Sequence, residues 1–143
     1  MKNLNKAKEL LLTNNYTCVL CRDSEIYTSA KRGVAPLVEW YEAGTDLCGF
    51  SAADKVVGKG AAFLYVLLGV GEIYAAVISR PALALLSAHG IKAEYSSLAD
   101  NIVNRTGDGI CPIESAVLDI DDPREAYAEI IKKLQELGAR KSI

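Results

Sequence analysis

The segment "NRTGDGICPIE", residues 104–114, combines a cysteine and a glutamate with a glycine-rich loop. Pro112 suits the first position of a helix, which places Cys111 at the N-cap and Glu114 at the third helical position. A thiol at a helix N-terminus feels the positive end of the helix dipole, which favours its thiolate. Cys111 is therefore a candidate nucleophile. The alternative is that the glycines form a tight turn and Cys111 is a small buried hydrophobe.

The segment "SAADKVVGKGAAFLYVLL", residues 51–68, supplies a second group of polar side chains. We predict one helix over this range, begun by Ser51 and Asp54 in an arrangement similar to a capping box. Lys59 follows on an otherwise apolar helix, and a buried lysine must be paired or neutralised. Asp54 or Glu114 is the expected partner, so these residues form either a structural ion pair or the polar floor of a pocket.

Two further groups of residues have the chemistry to bind an anion. Ser79 and Arg80 open the helix "SRPALALL", where a hydroxyl, a guanidinium and free backbone N–H groups would suit a phosphate or a carboxylate. Asn104 and Arg105, which precede the glycine-rich loop, join Glu114 as candidate ligand-binding residues. The plainer alternative is that Ser79 is an N-cap and Arg80 a solvated surface side chain.

Hydrophobic periodicity and turn residues predict the elements that position these side chains. Besides the helices above, they indicate a helix over 2–13, a hairpin with strands near 16–22 and 25–30, a short helix between Pro36 and Gly44, strands at "GEIYAAVIS" and "KAEYSS", and a last helix from Pro123 to Gly138. Alternating strands and helices in the second half imply right-handed βαβ crossovers. We therefore predict an α/β three-layer sandwich with a mixed sheet, an N-terminal β-hairpin and parallel βαβ units, in one domain over 1–143.

This topology predicts where the polar residues meet. Ligands of α/β sheets bind beyond the carboxyl ends of the parallel strands, where helix N-termini point. We expect the helix starts at Ser51 and Ser79 to lie side by side at that edge, with the loop that ends at Cys111 crossing it. Asp54 and Lys59 would then converge with Ser79 and Cys111 on one cleft.

Composition argues against several classes of partner. The 143 residues are 50% hydrophobic, and 16 basic against 18 acidic side chains give a net charge of −2, so no nucleic-acid partner is expected. The longest apolar run, residues 60–70, is too short for a bilayer, which needs ~20 residues. The N-terminal segment lacks the features of a signal peptide. We expect a cytoplasmic protein with reduced cysteines and no membrane association, and the sequence leaves its oligomeric state open.

Three motifs, "ADKVVGKGAA", "SRPAL" and "NR-TGDG-ICPIE", together resemble an uncharacterised prokaryotic domain-of-unknown-function family placed in the cytidine deaminase-like fold. The resemblance extends over about residues 5–138. It implies a cytidine deaminase-like three-layer fold, and it implies a fold more firmly than an activity.

The zinc ligands of true deaminases are missing from the corresponding turns. Zinc deaminases carry H-x-E on the buried helix and P-C-x-x-C at the start of the next helix. The resemblance matches these turns to "GKGAAFL" and "RPALALL", and His89 lies at the far end of the second helix. Cys18 and Cys21 form a CxxC, but their odd spacing in a strand sends them to opposite faces of the sheet. We therefore predict no metal site and no cofactor.

Three functional hypotheses remain open. The first is a metal-free deaminase-fold protein that binds a small polar or anionic ligand at the carboxyl edge of the sheet, and only the family resemblance suggests that the ligand is nucleotide-like. The second is a thiol-dependent enzyme in which Cys111 is the nucleophile or redox centre and Asp54 or Lys59 the acid or base. The third is a non-enzymatic interaction module whose cleft is filled.

Overall fold

The computed structural model describes residues 2–104 and 106–141, which contain six helices and five strands. In chain order these are α1 (Lys2–Thr13), β1 (Cys18–Arg22), β2 (Glu25–Ser29), α2 (Ala35–Glu42), β3 (Ser51–Val57), α3 (Lys59–Leu68), β4 (Glu72–Ser79), α4 (Arg80–Ala88), β5 (Lys92–Ala99), α5 (Pro112–Val117) and α6 (Pro123–Lys141). The predicted first helix, hairpin, fourth and fifth strands and last three helices all lie close to these positions.

The five strands form one mixed sheet in the order β2-β1-β3-β4-β5. β1 runs antiparallel to both β2 and β3, whereas β3, β4 and β5 are parallel. α1 packs on one face through Leu4, Ala7 and Leu11, and α2, α3 and α4 cover the opposite face, with α6 against α3. The predicted three-layer α/β sandwich, with its hairpin and parallel βαβ units, is confirmed.

The prediction of a single helix over 51–68 is wrong for its first half. Residues 51–57 form β3, a central strand that pairs with β1 on one side and β4 on the other, and α3 begins only at Lys59. Gly58, with extended backbone dihedrals, separates the two elements. A strand covered on both faces lacks polar alternation. Because β3 is followed directly by an apolar helix, the two elements form one continuous hydrophobic segment of sequence. Hydrophobic periodicity alone does not show where the strand ends and the helix begins.

This correction changes which residues share the carboxyl edge of the sheet. Ser51 is not a helix cap: it lies at the amino end of β3, opposite Glu72, and its hydroxyl donates to the Glu72 carboxylate at 2.6 Å. Ser79 lies at the carboxyl end of β4. The prediction that Ser51 and Ser79 are neighbours is therefore wrong, and Lys59, at the start of α3, occupies the carboxyl edge instead.

The two cysteines of the hairpin point to opposite faces of the sheet, as predicted. Cys18 belongs to the core beneath α3, whereas Cys21 packs with α1 and its thiol donates to the Asn3 carbonyl oxygen at 3.5 Å. Both side chains are buried and unoxidised. The period of two in a strand separates them, so they cannot act as a CxxC pair.

α3 is buried on nearly every side. All of its residues from Lys59 to Tyr65 are buried, between the sheet and the surrounding helices. This agrees with its sequence, which is apolar all round apart from its first residue. No helix within the described ranges is both long and apolar enough to cross a membrane.

α5 lies directly against the first turn of α3, and glycine makes this contact feasible. A Cβ atom added to Gly58 would collide with the carboxylate of Glu114 and come within 3.1 Å of Ile102. A Cβ at Gly60 would meet the Ile113 side chain at 2.5 Å. Residues 58 and 60 must therefore lack a side chain, because α5 and the loop before it occupy that space.

We expect Gly58→Ala to lower the free energy of unfolding by about 1–3 kcal/mol, since the added methyl group must displace the Glu114 carboxylate. Urea denaturation followed by circular dichroism would measure the change. Gly138→Ala is the matched control, because its Cβ meets nothing within 4 Å and the residue lies in α6. The control is expected to stabilise by up to about 1 kcal/mol. Equal effects of the two substitutions would contradict the close contact.

Candidate functional site

Asp54 is a buried carboxyl group on the central strand β3. Its side chain points toward α3 and is only 7% exposed. The Tyr65 hydroxyl donates to its Oδ2 at 2.7 Å, and the Val56 backbone N–H donates to its Oδ1 at 3.3 Å. No ion pair involves Asp54 in the described part of the chain. The carboxyl group is therefore hydrogen-bonded but has no cationic partner among residues 2–104 and 106–141.

Burial changes the acidity of this group strongly. Desolvation raises the pKa of Asp54 from 3.8 to about 7, and the hydrogen bonds from Tyr65, Val56 and the Lys55 backbone oppose this rise. Desolvation disfavours the charged carboxylate, and the donors stabilise it. Asp54 is consequently poised to gain or lose a proton near neutral pH.

A short hydrogen-bonded chain continues inward from Asp54. Tyr65 is fully buried on α3, and its hydroxyl oxygen lies 3.2 Å from the Cys18 sulfur on β1. Burial is the first cause that raises the pKa of both Tyr65 and Cys18. Tyr65 has one hydroxyl proton, which it donates to Asp54, so the Cys18 thiol is the donor to the Tyr65 oxygen. The carboxyl group is thus held by a neutral phenol, which is itself held by a neutral thiol.

Glu114 is the second buried carboxylate, with 1% exposure. Its Oε2 accepts from the Lys59 backbone N–H at 3.2 Å. Its Oε1 accepts from the Asn101 amide at 3.3 Å and from the Ile102 backbone N–H at 3.4 Å. The Glu114 side chain therefore caps the start of α3 and the segment after β5 by accepting hydrogen bonds from both.

Asp54, Cys111 and Glu114 line one cleft of about 260 Å³ beside the start of α3. This is close to the ~300 Å³ at the lower end of small-molecule sites. Cys111 is half-buried at the N-cap of α5, as predicted, and its side chain makes no capping hydrogen bond. The remaining lining residues are Thr17, Arg32, Gly33, Val34, Lys55, Val56, Gly58, Gly60, Ala61, Ile102 and Ile113.

Lys59 is buried as predicted but does not line this cleft. Its ammonium donates to the Leu118 backbone carbonyl at 2.6 Å rather than to Asp54 or Glu114. Only its backbone N–H reaches Glu114. The first turn of α3 therefore separates the predicted residues: Asp54, Cys111 and Glu114 line the cleft on one side, and the Lys59 ammonium lies on the other.

Ser79, Arg80 and Asn104 lie outside the cleft lining. Ser79 is the N-cap of α4 and accepts from the Ala82 backbone N–H at 3.2 Å. Arg80 forms an exposed ion pair with Asp100 at 2.9 Å. Asn104 stabilises its own loop by donating to Asp108 at 3.0 Å. Arg105 falls outside the described residues.

Tyr65, which donates a hydrogen bond to the Asp54 carboxyl group, was not predicted from the sequence. A tyrosine on an otherwise aliphatic and Phe-containing buried helix was the available signal, because a buried phenol requires a hydrogen-bond partner. The exposed cations Arg32 and Lys55 at the cleft rim were also missed. They come from the loop after β2 and from β3, and only the folded sheet brings them together.

The described residues contain no group of three or more His, Cys, Asp or Glu side chains that could hold a metal ion. His89 is the C-cap residue of α4. The absence of bound zinc stays a prediction from the sequence, and elemental analysis of the purified protein would test it.

We expect the raised pKa of Asp54 to make stability depend on pH. The folded state binds the Asp54 proton more tightly than the unfolded state, so stability falls as pH rises from 3.8 to about 7 and levels off above that range. Asp54→Asn removes this loss, so the variant should gain roughly 2–4 kcal/mol relative to the wild type between pH 4 and pH 8. Urea unfolding across this range measures the difference. Exposed Asp119→Asn is the control, and a constant Asp54→Asn difference would contradict the shifted pKa.

We expect Tyr65→Phe to raise the pKa of Asp54 above about 7, because the Tyr65 hydrogen bond stabilises the carboxylate. Carboxyl carbon NMR shifts recorded against pH would report this titration directly. Tyr74→Phe is the control, since Tyr74 is also buried but its hydroxyl bonds with Ser96. A lower or unchanged pKa of Asp54 in Tyr65→Phe would show that the hydrogen bond does not stabilise the charged form.

The solved structures that are similar to this chain include two from Thermotoga maritima. A DUF1893 family protein from Thermotoga maritima has 30% sequence identity and a TM-score of 0.85, over 92% of this chain and 90% of that chain. A diaminohydroxyphosphoribosylaminopyrimidine deaminase/5-amino-6-(5-phosphoribosylamino)uracil reductase from the same organism has 10% identity and a TM-score of 0.43, over 81% of this chain and 40% of that chain. The second likeness is too weak to carry an argument about fold or activity.

Sequence comparison gives the family directly. Among curated proteins, no sequence matches this chain significantly. The family model described as a domain of unknown function, DUF1893, matches residues 6–134. This match spans most of the chain and includes both carboxylates of the cleft. The chain therefore belongs to the DUF1893 family.

Proposed function

We propose that the cleft beside α3 binds a small polar ligand and that Asp54 exchanges a proton with it. One observation carries the proposal: Asp54 is a buried carboxyl group that forms no ion pair with any described residue, it lines an open cleft, and its pKa is raised to about 7. Groups that transfer protons work best when their pKa is near the working pH. Strong desolvation of an ionisable group in a cleft is a physical signal of a functional site.

A purely structural role explains Asp54 less well. If its purpose were to hold Tyr65, an apolar pair of similar shape would give comparable stability without burying a carboxyl group. The pKa of Asp54 also means that its charge costs folding energy at neutral pH. Because Asp54 lowers the stability of the fold at neutral pH and lines an open cleft, contact with a ligand explains its presence better than a structural role.

The cleft walls indicate the kind of ligand. Val34, Val56, Ile102 and Ile113 provide apolar surface, and the exposed cations Arg32 and Lys55 stand at the rim. Asp54 offers a donor when neutral and an acceptor when charged. This arrangement suits a flat apolar body with a hydrogen-bonding edge and an anionic substituent. A nucleotide-like molecule has these features, and no metal takes part in the proposal.

Cys111 gives a second candidate function, because its half-buried thiol lines the same cleft. In a thiol-dependent reaction the Cys111 sulfur would add to a polarised double bond of the ligand, the π electron pair would move to the far atom of that bond, and Asp54 would take the thiol proton and pass it to that atom. Lys59 does not line this cleft, so it is not the base in this version. The open cleft volume favours either of these functions over an interaction module with a filled cleft.

The binding proposal is tested with a library of polar heterocyclic fragments, screened by ligand-observed NMR against the wild type and Asp54→Asn. Fragments that accept a hydrogen bond from neutral Asp54 should lose affinity as pH rises through about 7, and donor fragments should gain it. Asp54→Asn should remove this pH dependence. Absence of any Asp54-dependent fragment would overturn the proposal.

Alkylation of Cys111 by iodoacetamide provides an independent readout of the same cleft. Bound fragments should slow this alkylation, measured by peptide mass spectrometry, while Cys48, which is exposed and remote in sequence, reports unspecific effects. Cys111→Ser separates the two candidate functions: ligand binding should persist, whereas conversion of a ligand by the thiol mechanism should stop. Fragments that bind without protecting Cys111 would place the site elsewhere.

A further inference from the structure

Lys59 marks a second cavity on the other side of the first turn of α3. This cavity has a volume of about 240 Å³ and is lined by Lys59, Pro81, Ala84, Leu85, Ala88 and Asp121. The first cleft shares none of these residues. The α4 residues have the spacing of one helix stripe, and they form an apolar wall beside the lysine.

The ammonium group of Lys59 has few protein partners among the described residues. The residue is 8% exposed, and its Nζ has one hydrogen-bond acceptor among the described residues, the Leu118 carbonyl. Nζ also lies 5.6 Å from the centre of the Phe63 ring. An ammonium carries three donors, and a buried charge is costly unless it is paired.

A counter-charge for Lys59 is missing from the described part of the protein. None of the ion pairs found there includes Lys59, although Asp121 lines the same cavity. Asp121 is exposed on the link between α5 and α6. The cavity therefore has an under-coordinated cation inside, an apolar wall, and one carboxylate near solvent.

We propose that this cavity binds a short-chain monocarboxylate, with the carboxylate on Lys59 Nζ and the aliphatic part against Ala84, Leu85 and Ala88. The ligand would supply the negative charge and the acceptors that Lys59 lacks. Asp121 repels additional negative charge, which disfavours phosphate and dicarboxylates. The site is separate from the proposed Asp54 cleft, and neither proposal depends on the other.

The competing explanation is that Lys59 is only a cap. Its bond to Leu118, the C-cap residue of α5, satisfies a helix-terminal carbonyl. A cap uses one donor and requires no cavity. The two explanations differ in whether Lys59 responds to an added carboxylate.

Sodium butyrate is the test probe, titrated into ¹⁵N-labelled protein with sodium chloride to hold ionic strength constant. We expect saturable shifts of the amides of Lys59, Ala84, Leu85 and Ala88, with a Kd in the millimolar range expected of so small a ligand. Inorganic phosphate should bind at least about tenfold more weakly. Shifts that do not saturate, or equal shifts with phosphate, would overturn the proposal.

Lys59→Met should weaken butyrate binding by at least about tenfold, whereas Lys55→Met, which removes an exposed lysine of the other cleft, should leave it unchanged. Ala84→Leu fills the cavity from an exposed helical position and should also abolish binding, so the test survives if Lys59→Met fails to fold. Ser87→Leu is its control on α4 outside the lining. Butyrate binding that persists in Ala84→Leu would place the ligand elsewhere and leave Lys59 as a cap.

Discussion

The contact between the Glu114 carboxylate and the first turn of α3 fixes the positions of α5 and of the segment after β5 relative to α3. One side chain accepts hydrogen bonds from the start of α3 and from the segment that follows β5. These segments are distant in sequence and meet only at the carboxyl edge of the sheet. Because the carboxylate is buried, losing it would leave several N–H groups without partners, and each such loss costs about 1–3 kcal/mol.

This contact also explains the two cavities. Glu114 holds α5 so close to α3 that residues 58 and 60 have no room for a side chain. Lys59 lies between these glycines, and its side chain must leave on the side away from Glu114. The glycine positions form part of the wall of the Asp54 cleft, and Lys59 forms part of the second cavity. A single crowded helix turn therefore separates the buried ammonium of Lys59 from Asp54, which was one of the two partners that the sequence suggested for it.

Local signals in the sequence were sufficient for most of the fold. The amphipathic pattern of α1, the turn between β1 and β2, and Pro81 and Pro112 at helix starts each have a local physical cause. The boundary at Gly58 was missed because burial on both faces of β3 removes the polar alternation that marks a strand. Misplacing that boundary put Ser51 at the wrong end of the sheet.

The sequence predicted the candidate site only where the order of strands and helices along the sheet determines which residues are neighbours. Asp54, Cys111 and Glu114 do line one cleft, because the loop after β5 returns to the carboxyl edge. The direction of the Lys59 side chain was not predictable, since it depends on the tight approach of α5. The same limit applies to Tyr65, because its partner Asp54 lies on β3 and only the packing of α3 against the sheet brings the two side chains together.

The separation of Asp54 from Lys59 by the first turn of α3 affects the chemistry of both side chains. Had they paired, the attraction of the two charges would have stabilised the carboxylate and lowered the pKa of Asp54. Instead Tyr65 and backbone donors hold Asp54, and desolvation dominates its acidity. The separation therefore leaves a carboxyl group with a raised pKa at the cleft and, one turn away, an ammonium group with one hydrogen-bond acceptor among the described residues. An ion pair across the first turn of α3 would have removed both chemical properties at once.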